Sequence, residues 1–108
     1  MTDPAKIEQL GDVESRLLRF TEILSRAMAT ASLDQASHLS GALQRVSHAV
    51  NSVKQARYST SDKVSTDQLR QALENLQLAL DVLQKIGRTD IPLGDLRSMT
   101  EEIKTLAA

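Results

Sequence analysis

The segment SHLSGALQRVSH, residues 37–48, carries both histidines of the chain, His38 and His48. Imidazole is the side chain most often used near neutral pH as a metal ligand, proton carrier or phosphoryl acceptor. On a helix, ten residues set the two rings about 80° apart around the axis and about 15 Å apart along it. That separation rules out shared coordination of one ion. A dinuclear carboxylate centre inside a helical bundle would ask for Glu-x-x-His on its helices, and neither histidine has Glu three residues before it. With no Cys in the chain, thiolate nucleophiles, disulfides and Cys-held metals are excluded as well. No metal site is expected.

Taken singly, His48 has one specific alternative. SHAVNS, residues 47–52, resembles the phospho-acceptor stretch of histidine phosphotransfer domains, helical bundles whose acceptor His is followed at three by Lys and at four by Gly or another small residue. Here Ser52 takes the small position and Asn51 stands where that family has Lys, while Gln55, Arg57 and Tyr58 replace its small downstream residues. The resemblance covers this short stretch alone and implies a phosphorelay domain with His48 as phospho-acceptor and a response regulator as partner. Around His38 the glycine, Gly41, comes at three, one place off that spacing.

Other chemistry lacks its residues. There is no glycine-rich phosphate loop, GxSxG or HExxH motif, and the chain has four glycines in all, so no enzyme activity, cofactor or small-molecule substrate is expected. Thirteen Lys and Arg against fourteen Asp and Glu leave no concentrated positive field for phosphate backbones. The middle third is mildly basic through Arg45, Lys54, Arg57 and Lys63, but with only Tyr58 nearby it has no stacking platform for single strands. Nucleic acid is not an expected partner. No apolar run nears the roughly 18 residues of a membrane span, and MTDPAKIEQL lacks the basic start and apolar centre of a cleaved leader. The expectation is a soluble chain without membrane insertion, with the cytoplasm its most natural address.

What would position any site is a repeat of apolar residues at alternating steps of three and four. Leu10, Val13, Leu17, Phe20, Leu24, Ala27 and Ala31 form a first stripe, opened by Thr2, Asp3 and Pro4, which suit a capped helix start. A helix over about 4–30 follows. Ala36, Leu39, Leu43, Val46, Val50 and Val53 form a second stripe, for a helix over about 33–57. Continuing the first heptad instead would put Asp34, His38, Gly41, Arg45 and His48 on the apolar side, so the chain must turn between the stripes. Ser32 with Gln35 offers a capping box there. On this second helix both histidines fall on the solvent side.

YSTSDKVST, residues 58–66, reads as a hydroxyl-rich loop in which Ser65 or Thr66 caps the next helix, about 66–86. That helix carries Leu69, Ala72, Leu76, Ala79, Leu83 and Ile86, flanked by Leu73 and Leu80. Gly87 suits a stop, and Pro92 with Gly94 suits a connector. A last helix over about 95–106 lines up Leu96, Met99, Ile103 and Leu106, and at this length it needs a dock.

Together these elements predict one domain over residues 1–108: an all-α, antiparallel up-down helical bundle of three long helices and a short C-terminal fourth. Its core of Leu, Ala and Val resembles a coiled coil more than an enzyme interior. The function expected is therefore contact: a non-enzymatic protein–protein interaction module, whether adaptor, small chaperone or subunit of a larger helical assembly. Leu18, Ile23 and Met28 widen the first stripe, and Leu78 and Val82 lie off the third. These five are the candidate partner interface, with Leu78 and Val82 covered either by the last helix, the expected cover, or by a partner. The occupant would be another protein, a helical one fitting best, or a second copy in a homodimer.

Overall fold

A computed structural model describes residues 3–108. Among them it contains four helices and no strand: α1 (Pro4–Ala29), α2 (Leu33–Tyr58), α3 (Asp62–Ile86) and α4 (Leu93–Ala107). The first expected start holds, since Asp3 Oδ1 accepts from Ala5 N at 3.0 Å and Pro4 occupies the first turn. Thr2 lies outside the described residues. Ser32 Oγ accepts from Gln35 N at 3.2 Å, so the change of stripe marks a turn over residues 30–32. Gly87 ends α3 at φ 67°, in the left-handed region that glycine enters without steric cost.

The third helix begins four residues ahead of its expected start. Ser61, and neither Ser65 nor Thr66, caps it by accepting from Val64 N at 3.3 Å. The hydroxyl-rich run misleads because such residues are only mildly unfavourable in a helix, and Ser65 is fully buried, its Oγ donating to Ala56 O of α2 at 2.8 Å. The fourth helix also starts early, straight after Pro92, and takes Gly94 into its first turn.

Each helix packs on its chain neighbours and α1 meets α4, enclosing one core drawn from all four helices and Ile91. Arg57 near the end of α2 reaches Glu14 in the first half of α1 at 3.2 Å. Arg16 of α1 reaches Glu102 near the end of α4 at 2.7 Å. The particle measures 45 × 18 × 18 Å, a bundle as long as its helices.

The α2–α3 seam is made of small residues. Ala42, Ala49 and Ala56 of α2 and Ser65, Ala72 and Ala79 of α3 are all fully buried, each set at steps of seven. The Ser65–Ala56 bond sets the register, and counting back by heptads aligns Ala49 with Ala72 and Ala42 with Ala79. Leu39, Val46 and Val53 are buried as the second stripe requires, but Ala36, Leu43 and Val50 are only half-buried. Small side chains win the closest approach because two backbones can draw together there without opening a void.

One position works against this order. Gly41 is exposed in the middle of α2, with nothing within 4 Å of where a Cβ would stand. Since glycine inside a helix costs about 0.5–1 kcal/mol relative to alanine, Gly41→Ala is expected to raise the unfolding free energy by that amount, read from the urea midpoint at unchanged m-value.

Candidate functional site

Three side-chain clusters tie the helices to one another. Arg57 places its guanidinium 4.7 Å from the centre of the Tyr58 ring and against Glu14, in space left by Gly11, where a Cβ would come within 3.3 Å of Arg57 Nη1. Arg16 bridges Glu102 and Asp12, and the hydrogen bond it donates to Glu102 raises its already high pKa. Arg88 clamps the end of α1, donating to Ala27 O at 3.1 Å and Thr30 Oγ1 at 2.9 Å while pairing both oxygens of Asp90.

The Arg88 hydrogen bond holds the Asp90 carboxyl below the usual carboxylate range. A carboxylate whose folded pKa is depressed adds stability that is fully present above its unfolded pKa, about 4, and is lost as pH falls below it. Asp90→Asn is therefore expected to flatten the acid limb of the stability profile below about pH 4 while changing its shape near neutrality little. Denaturant midpoints between pH 2.5 and 7 read this directly.

The surface worth reading for function is a groove outside the alanine seam, between α2 and α3. Its α2 side carries Asp34, Gln35, His38, Gly41 and Arg45, and its α3 side carries Leu78, Asp81, Val82, Lys85 and Ile86. Tight seam packing brings the two backbones together and leaves a furrow between their outer side chains. The missing side chain at Gly41 deepens it. The α2 side is polar, with His38 Nε2 4.0 Å from Asp34 and Arg45 Nη1 donating to Asn75 Oδ1 at 3.3 Å. The α3 side is an aliphatic line of Leu78, Val82 and Ile86, of which Leu78 is 45% exposed.

The five candidate interface residues do not share a surface. Leu78 and Val82 line the groove together. They are not under α4, contrary to expectation: α4 instead approaches the Gln77, Leu80 and Gln84 side of α3 through Arg97, Thr100 and Glu101. The reason is angular, since Leu80 lies about 160° around the helix from Val82 in the sense that α4 approaches. Ile23 lies with Arg16, Phe20, Pro92 and Met99 in a cleft between α1 and α4. Leu18 is 48% exposed on α1, and Met28 is half-buried against the core.

His48 is exposed on α2, one turn beyond Arg45, and His38 is exposed within the groove. Asn51 is exposed and Ser52 buried. Among the described residues no group of three or more His, Cys, Asp or Glu side chains could hold a metal ion, and no helix is long and apolar enough to cross a membrane.

Asp34, Gly41, Arg45 and Lys85 were not among the sequence candidates, yet their signal is present. Asp34, His38, Gly41, Arg45 and His48 step by four and three, and so do Leu78, Val82 and Lys85. A polar stripe at heptad spacing beside an aliphatic one marks a second face of the helix pair. The fold and this groove define a four-helix, all-α protein with an amphipathic surface furrow. No protein-family model, curated protein or solved structure matches the chain.

Proposed function

We propose that this protein is a non-enzymatic interaction module, acting as adaptor, small chaperone or subunit of a larger helical assembly, and that it binds through the α2–α3 groove. Its scaffold is an antiparallel up-down bundle of three long helices and a shorter fourth. That arrangement is supported for α2 and α3 by the Ser65–Ala56 and Arg45–Asn75 hydrogen bonds, since moving back along α2 from Ala56 to Arg45 moves forward along α3 from Ser65 to Asn75. The observation that carries the function is the aliphatic line of Leu78, Val82 and Ile86 beside the furrow at Gly41. A partly exposed apolar line next to a furrow is the geometry into which a partner's side chains pack. Charged residues at the rim would set orientation and rate of encounter more than affinity.

Affinity purification from the native cell with wild type, Leu78→Lys and Leu18→Lys tests this. A protein retained by wild type and Leu18→Lys, and at least tenfold depleted with Leu78→Lys, is the expected result. Recovery of nucleic acid or a small molecule in its place overturns it.

One observation favours a second reading. His48 stands exposed at mid-helix in a four-helix protein, the setting that the resemblance of SHAVNS to phosphotransfer domains calls for. An acid-labile phosphoryl group on wild type that is absent from His48→Gln would establish that role, and no label from any donor kinase would discard it.

A further inference from the structure

We propose that the occupant of the α2–α3 groove is a second copy of this chain, the two copies related by a two-fold axis that crosses the groove beside Gly41; the inference rests on the groove being the binding face. The charges decide the choice of occupant. On α2 the groove begins with Asp34 and ends with Arg45, about 16 Å further along the helix. Turning a second copy by 180° about an axis across the groove sets Asp34 of one protomer toward Arg45 of its partner, and the reverse contact forms at the other end. The axis for that exchange crosses α2 between Leu39 and Ser40.

On the α3 side two further exchanges fall on either side of that position. In the register that aligns Ala42 with Ala79, the point between Leu39 and Ser40 lies opposite residues 81 and 82. Asp81 and Lys85 exchange about an axis at residue 83, and Leu78 meets Val82 of the partner about an axis at residue 80. All three exchanges fall within about three residues, or roughly 4.5 Å of helix. Gly41, where no side chain occupies the surface, sits beside the axis, where the two copies must approach most closely. Among the described residues Asp81 accepts only from Gln77, Arg45 donates only to Asn75, and Arg45, Asp81 and Lys85 form no ion pair within the chain, which leaves these charges for an external partner.

The contact is small. A groove segment about 16 Å long on a particle 18 Å wide covers roughly 300 Å² per protomer, below the roughly 800 Å² per partner of a stable complex. A reversible dimer forming at high micromolar concentration is the expected result.

Sedimentation of the full chain from 10 µM to 1 mM tests this. The weight-average mass should rise from 11.8 kDa toward twice that value. Asp34→Arg alone and Arg45→Asp alone should each weaken association at least tenfold. An equimolar mixture of the two should regain it, because each copy then supplies the sign the other lacks at both ends. Both side chains are exposed, and circular dichroism should show unchanged helicity. A wild type that stays monomeric at 1 mM, or a mixture that associates no better than either variant alone, overturns the dimer. A monomeric wild type that still loses a captured partner on Leu78→Lys refutes the dimer and leaves the interaction reading standing.

Discussion

Replacing Phe20 by alanine is expected to lower the unfolding free energy by about 3–5 kcal/mol and the melting temperature by roughly 15 °C or more. Phe20 is the one aromatic side chain in the core and is only 2% exposed; Tyr58, the other aromatic residue, is exposed. It fills the space where α1 meets α4, beside Met99 and Pro92. Losing the ring removes its transfer free energy and leaves a void that flanking leucines fill only in part. Against a total stability of about 5–15 kcal/mol for a domain of this size, the loss is large enough to populate unfolded chains. The damage should concentrate in α4, since a 15-residue helix is marginal without its dock. Calorimetry gives the total, and amide hydrogen exchange should show α4 losing protection first. Phe20→Leu, which keeps most of the volume, should cost markedly less.

Ala49→Leu should also destabilise the protein, by about 1–3 kcal/mol or somewhat more. Ala49 is fully buried, as is Ala72 of α3, which heptad counting from the Ser65–Ala56 bond sets at the same level. A leucine there must force α2 and α3 apart from an alanine-spaced crossing toward the wider end of the 8–10 Å range of helix separations, or adopt a strained rotamer. Either response disturbs the rows at Ala42 and Ala56 as well, because close-packed interiors transmit strain. Val50→Leu, one residue on and half-buried, should stay within about 1 kcal/mol. The contrast between neighbouring sites, read from paired urea titrations, identifies which stripe of α2 makes the tight contact.

The helices themselves were legible in the sequence. Periodicity and the caps at Asp3, Ser32 and Gly87 locate α1, α2 and the end of α3 to within a residue, because these signals are local: a side-chain oxygen meets an amide two or three residues away, or a glycine adopts positive φ. The start of α3 was not. Whether Ser65 caps a helix or lies inside one depends on Ala56, on another helix, whose carbonyl accepts its hydroxyl. The α2 seam was misjudged for a related reason. By hydrophobicity alone Leu43 and Val50 outrank Ala42 and Ala49, and only the presence of a second helix with its own alanines makes the smaller residues the better contact.

The candidate site divides in the same way. That His38 and His48 face solvent followed from the phase of the second stripe, and both are exposed. That Leu78 and Val82 escape α4, and share a furrow with Gly41 and Arg45, did not. The direction in which α4 returns is set by a connector whose Arg88 is anchored on Ala27 and Thr30 of α1, more than fifty residues away in the chain. Spacing along one helix thus determined what each face of this protein is made of, since side-chain direction repeats with the turn of the backbone. Which faces meet and which remain open was decided by tertiary structure alone, because that depends on how closely two separate backbones can approach.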